Sequence, residues 1–558
     1  MNRRNFLQGH SSPDKIRNST SGNRTIPLSS AGLEEYSGVW GFEQAAHLLR
    51  RTTFNSRRKD VEMLKQKSMS LAVDYLLADS PLPQPPLVFF QNDNAKQGET
   101  WVNSQFNSVT DNSRLESLAG WWVNLMRDTT TAAREKMVLF LNNHFVSTAS
   151  GVKDSRLLYK QNSLIREMAF GNFKDLAKKI TLDPGMLRFL NGNTNTKQDT
   201  NENYGRELQE LFTIGKGKEI TKGNYTTYTE SDVQAAARVL TGWSDDSDKQ
   251  TYAFSDRNHD TTDKQFSSNY GSVIIKGRTG IDGAMSELDD LINMIFNQEA
   301  TSKNICRELY KWYVDYIIDE TIEENVIKPM ATILRSNNYN VKPALLALLK
   351  SAHFFDSSRF GSMIKPPIDF VLSTFNTLLA SLPKPTSVTD LVRVYYGAIG
   401  QRRLLNSLQQ TLFGQLNVAG WEAYHQEPDY YEFWINTDTL QKRVKYLNEL
   451  AVLGYQSPES RELAYADVFA LAEETSDPSD PNKLVNEWVM LLFAFKVSSE
   501  FKDMLKGVLL NNLPDYEWTV EWLDYKSSPT DANKKTAIEK KLRALLKQIL
   551  VSPEFQLM

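Results

Sequence analysis

The sequence predicts a mainly α fold: a large multi-helix domain with a small β-hairpin or loop excursion near residues 250–280. Three observations carry that prediction. Apolar residues recur at three- and four-residue spacing from residue 40 almost to the C-terminus. Helix starts and stops are marked by capping residues and prolines. The region 251–280 is the main exception, with short β-branched and aromatic runs between Asn, Asp and Gly.

Residues 1–34 read as a flexible tail, polar and without apolar periodicity. The tail opens with MNRRNFLQ, in which Arg3, Arg4, Phe6 and Leu7 resemble the start of a twin-arginine export signal. Such a signal needs an apolar core of about 7–15 residues. The continuation GHSSPDKIRNSTSGNRTIPLSS is polar, so the signal is incomplete. Two locations stay open: the cytoplasm, or the envelope if the chain leaves with a partner that carries a full signal.

The first helix is GFEQAAHLLRRTTF, with Phe42, Ala45, Ala46, Leu48 and Leu49 on its apolar stripe. His47, beside Arg50 and Arg51, is placed at the surface. RKDVEMLKQKSMSLAVDYLLA is a second amphipathic stretch, and SPLPQPPLVFFQNDNAKQGE, with four prolines, is an ordered loop or linker. Helices follow at 113–128, 131–147, 155–170 and 172–181, the last stopped at Asp183-Pro184 because the residue before proline avoids helical geometry. In YTESDVQAAARVLTGW, Thr229 and Asp232 approximate a capping box. TYAFS and GSVIIKG are the two strands expected in the excursion. Helices resume at 284–297, 300–317, 322–336 and 341–351. They continue at 366–381, 387–396, 401–411, 436–453, 482–495, 498–509 and 533–551. Residues 35–558 form one helical domain or two halves, 35–250 and 284–558.

Composition narrows the function classes. A chain of 558 residues with 41% hydrophobic and 24% charged residues has ample material for a core. Net charge of −4 argues against a nucleic-acid binder, which shows a basic footprint. A single cysteine, Cys306, excludes an intrachain disulfide framework, and no apolar run reaches membrane-spanning length. There is no HExxH, GxSxG, phosphate-loop or GxGxxG pattern in the right context, so no dedicated zinc site is predicted and the cofactor, if any, stays unknown.

The stretch NGNTNTKQDTNENYGRELQELFTIGKG (191–217) holds the main site candidate. Asn203, Arg206, Glu207 and Glu210 fall at i, i+3, i+4 and i+7, opposite a stripe of Tyr204, Leu208, Leu211 and Phe212. One arginine among two carboxylates and an amide suits an acid–base site or a polar-ligand clamp. The alternative is a salt-bridge ladder, worth a few tenths of a kcal/mol per exposed pair. Asn191, Asn193, Asn195, Asp199 and Glu202 stand at calcium-loop positions. However, Thr196 occupies the position that wants Gly, and Lys197 adds a cation, so turn and cap chemistry accounts for them better. His144 shares a helix face with Met137, Phe140 and Leu141. His259 and Asp260 offer a base with its orienter, Lys264 close by. Trp421 and Trp434, in GWEAYHQEPDYYEFWIN, offer a ligand surface or a cover over the core.

Several stretches in order resemble one family: AAHLLRRTTF, REKMVLFLNNHFVST, NTKQDTNENYGRELQELFTIG, YTESDVQAAARVLTGW, NHD with its following lysine, NVAGW joined to WINTDTLQKR, and SPEF. They mark the chain as similar to the bacterial proteins grouped as domain of unknown function 1800. That resemblance covers everything after the tail and implies no established reaction. It implies frequent export signals and a partner encoded beside the gene, from a second uncharacterised family with a phosphatase-like look. The chain departs from the pattern at Asn142-Asn143-His144-Phe145, where the family reads His-Asn-His-Phe.

Two functions follow. The first is an accessory or interaction protein of the cell envelope or export pathway, working with a protein partner. The second is a hydrolase or lyase-type enzyme using Glu207 or Glu210 with His259 while Arg206 clamps an anionic or carbonyl group.

Overall fold

Helix boundaries follow local chemistry. Asp183 caps Pro184–Phe189, accepting from the Met186 amide at 2.9 Å with Pro184 at the first helical position. Thr229 and Asp232 form the expected capping box on Glu230–Val239, and the Asp232 carboxylate also accepts from Ser267 N at 2.7 Å. The described residues are mainly helical, and their strands are short antiparallel pairs. The computed structural model describes residues 31–128, 132–381, 387–456 and 463–558. The export-signal residues Arg3, Arg4, Phe6 and Leu7 lie outside them. The expected tail ends sooner than residue 34: Gly32 O and Glu34 O accept from His353 N and Ala352 N, so the chain is docked by Ala31.

The 251–280 excursion pairs differently from the expected hairpin. Thr251–Phe254 pairs with Trp243–Asp246, in register Trp243 opposite Phe254, and Ile274–Ile275 pairs with Lys264–Gln265. TYAFS and GSVIIKG are therefore strands of two separate hairpins. A short loop between Asp246 and Thr251 closes at less entropic cost than one from 255 to 271. Two further hairpins, Glu219–Thr221 with Asn224–Tyr225 and Tyr455–Gln456 with Leu463–Ala464, are too short to show period-2 alternation.

Two helical expectations need correction. Residues 387–396 and 401–411 belong to one helix, Val388–Ser407, which packs along Asp111–Arg127. Gly397 and Gly400, which cost about 1 kcal/mol each relative to Ala in a helix interior, lie within it. Asp515–Ser527 is a helix that the periodicity concealed, because it is apolar on two sides. Trp518, Trp522 and Tyr525 are buried while Tyr516, Val520 and Leu523 are exposed.

The buried apolar residues form one contiguous cluster from Phe42 to Met558, so both expected halves share a core. The interior also holds charge. His47 and Arg51 are buried, against the surface placement: His47 stacks on Phe360 at 4.2 Å, and Arg51 donates to Arg359 O at 2.7 Å. Lys136 pairs with Asp369, and Arg114 holds Asp93 at 2.7 Å with both side chains fully buried. That last pair pins the proline-rich loop, as does Val88 N donating to Glu99 O at 2.8 Å.

Candidate functional site

Four segments enclose a cavity of about 120 Å³. At about 30 Å³ per water it holds about four waters. The C-terminal end of Ala132–His144 supplies Asn143 and His144, and the end of Asn203–Glu210 supplies Glu210 and Leu211. Helix Glu299–Tyr313 presents Asn304, Glu308, Lys311 and Trp312 along one face, and the 418–425 segment adds Tyr424 and His425. Gly420 lets that segment close: it sits at φ +91°, and a Cβ there would collide with the Asn143 amide. Asn143 Oδ1 in turn accepts from Trp421 N at 2.9 Å.

His144 is oriented by its neighbours. Phe145 and Phe173 pack against the ring at 4.7 and 5.5 Å. Nε2 lies 3.0 Å from the backbone oxygen of Phe212. A carbonyl only accepts, so Nε2 carries the proton and Nδ1 keeps its lone pair. Burial pushes the pKa below the usual histidine range, which keeps the ring neutral. Across the cavity, burial also lowers the pKa of His425, whose Nδ1 is enclosed and unpaired among the described residues.

Carboxylates differ in how they are held. Glu210 accepts from Lys216 Nζ and Tyr228 Oη, each at 2.6 Å. Glu308 pairs with Lys311 at 3.1 Å. Glu207, one turn before Glu210, is half-buried with no hydrogen-bond partner among the described residues; burial first, and then the Glu210 charge, push its pKa up to about 7. Arg206 is engaged by Glu230 at 2.9 Å and Glu202 at 3.2 Å, a ladder extended to a neighbouring helix. Asn203 is exposed at the helix start.

The histidine of the excursion sits apart from this cavity. His259 Nδ1 donates to Thr241 O at 2.9 Å and Nε2 faces Glu287 at 3.3 Å, both side chains fully buried. Asp260 is not its orienter. That carboxylate turns to Arg238 at 2.7 Å; burial raises its pKa, but the Arg238 and Thr262 hydrogen bonds outweigh burial and hold it at about 2. Lys264 binds Glu287 and the Asp260 carbonyl, so the group clamps the excursion onto helix Gly280–Phe296. Trp421 and Trp434 are each 3% exposed and flank Tyr424 at 6.4 and 5.7 Å, where they back the cavity wall. The asparagine run is turn chemistry: Asn195 donates to Ala237 O at 2.8 Å and accepts from Asn201 N at 2.9 Å, and Asn193 donates to Asp245.

The structure thus brings together His144 and Glu210 of the sequence candidates and separates them from His259, Asp260 and Lys264. Sequence reasoning missed Asn304, Glu308, Lys311, Trp312 and His425. A signal existed for the first four, whose spacing of four, three and one puts them on one helix face.

A family model described as "Protein of unknown function (DUF1800)" matches residues 47–557. The chain belongs to this family. Among curated proteins and among solved structures, no match was found. In this DUF1800 member, three of the stretches that carry the resemblance, around His144, Glu210 and Val418, meet at the one cavity.

Proposed function

We propose that the His144 cavity is an acid–base site and that this DUF1800 protein is a hydrolase or lyase-type enzyme acting on a small polar group. The observation that supports this reading most is the tautomer lock. Phe212 O fixes the proton on Nε2, which leaves a lone pair on Nδ1 of a ring that lines the same cavity as Glu210. A neutral, oriented imidazole is ready to take a proton from water or a substrate hydroxyl. Lys216 and Tyr228 hold Glu210 in place. Arg206, bound by two carboxylates, acts here through the position of the helix and not as an anion clamp.

Purified full-length protein is assayed on a panel of p-nitrophenyl esters, phosphates and glycosides beside His144→Gln. Turnover that falls about 10²–10⁴-fold in the variant, the usual contribution of a general base, supports the site. Turnover unchanged in His144→Gln, or absent in the wild type across the panel, counts against it.

A second reading rests on a different observation. Tyr516, Val520 and Leu523 stand exposed at i, i+4 and i+7 on helix Asp515–Ser527. This favours an accessory protein of the envelope or export pathway that docks a partner protein encoded nearby. Co-expression with that neighbour should give a co-eluting complex that Val520→Asp abolishes. Independent elution of the two wild-type proteins removes this reading.

A further inference from the structure

A groove of about 820 Å³ runs between helix Phe42–Thr52, the 355–360 turn and the 489–497 segment, and shares no lining residue with the His144 cavity. Phe355, Phe360, Met490, Phe493 and Val497 line it. Its size falls in the range of sites for small organic ligands, about 300–1,000 Å³, and its polar rim includes Glu43, Glu487, Lys496 and Lys502.

The polar group that sets this groove apart is Arg50. It lines the groove and is only 9% exposed. Nη2 donates to the backbone oxygens of Leu491 at 2.7 Å and Met490 at 3.4 Å. No carboxylate pairs with it among the described residues. The two carboxylates that line the groove are engaged by other cations: Glu43 by Lys496 at 3.3 Å and Glu487 by Arg58 at 2.9 Å. Burial, with Arg51 next to it, lowers the Arg50 pKa to about 10, which still leaves it cationic at neutral pH.

A desolvated cation without a counter-ion is costly, and buried charges are normally paired. The guanidinium keeps N–H groups in the forked geometry that suits a carboxylate. We propose that the groove binds an amphipathic carboxylic acid, its apolar chain along Phe355, Phe360 and Phe493 and its carboxylate on Arg50. A neutral amphiphile leaves the guanidinium unpaired, and a cationic one meets like charge.

The test is calorimetric titration of the full-length protein with dodecanoate and dodecyltrimethylammonium, each below its micelle concentration, and with dodecanol below its solubility limit. Dodecanoate is expected to bind at least tenfold more tightly than dodecanol, and the ammonium amphiphile not at all. In Arg50→Gln that preference disappears while dodecanol binding stays. Should Arg50→Gln fail to fold, Val497→Trp, which fills the groove, is expected to weaken dodecanoate at least tenfold at an unchanged circular dichroism spectrum. The proposal is overturned by a wild type that does not bind dodecanoate, by equal binding of acid and alcohol, by a preference that survives in Arg50→Gln, or by undiminished binding in folded Val497→Trp.

Discussion

The imidazole of His144 and the backbone carbonyl of Phe212, 68 residues apart, are joined by a 3.0 Å hydrogen bond that fixes where the histidine proton sits. One partner ends a helix and the other follows one, so the bond also sets the distance between two walls of the cavity. It holds a ring whose neutral form the fold prefers.

That preference has a pH signature. The folded pKa of His144 is depressed below 6.5, so between the two values the unfolded chain binds the extra proton. Stability therefore rises with pH through that window and falls on acidification below 6.5. His47, His353 and His425 are shifted the same way and add to the slope. Urea unfolding from pH 5 to 7.5 should show it, with a shallower slope in His144→Gln.

Glu207 behaves in the opposite sense. Its folded pKa of about 7 stands above the ordinary 4.5, so the native state retains a proton the unfolded chain has lost. Its contribution is present below pH 4.5 and is lost as pH rises through 7. Glu207→Gln should match wild-type melting at pH 4.5 and melt higher at pH 8. A lower melting temperature at pH 8 would refute the assignment.

Arg114 and Asp93 are fully buried together. Arg114→Leu strands the carboxylate and is expected to cost about 3–5 kcal/mol, whereas Arg114→Leu with Asp93→Leu recovers much of that loss. A double-mutant cycle by chemical denaturation measures both.

The Lys264–Glu287–His259 cluster is a clamp. Glu287→Leu leaves a buried lysine unpaired and should destabilise by a similar amount, about 3–5 kcal/mol. Hydrogen exchange should rise first at 256–280, and any turnover per folded molecule should persist. Loss of turnover with intact protection would return His259 to the catalytic group.

Gly420 tests the cavity wall. With φ at +91° and Asn143 against the Cβ position, Gly420→Ala is strained twice over. It is expected to cost about 1–3 kcal/mol in thermal or urea unfolding and to perturb the 418–425 segment.

Sequence by itself determined what is local. Periodicity set most helices, Pro184 stopped the 173–181 helix, Thr229 and Asp232 wrote a cap, and the asparagines of 191–203 wrote turns. These outcomes depend on neighbours within a few residues, so spacing reveals them. The polar face of 203–210 was legible as a choice between a ladder and a site. Arg206 resolved to the ladder because Glu230 arrives from another helix. Tertiary structure alone decided which strands pair, that His47 and Arg51 lie inside, and that His259 answers to Glu287 while His144 answers to Phe212. Residues 143, 210, 308 and 425 share a cavity only because one core draws two helix ends, a helix face and the 418–425 segment together, and burial there sets protonation that no sequence spacing encodes.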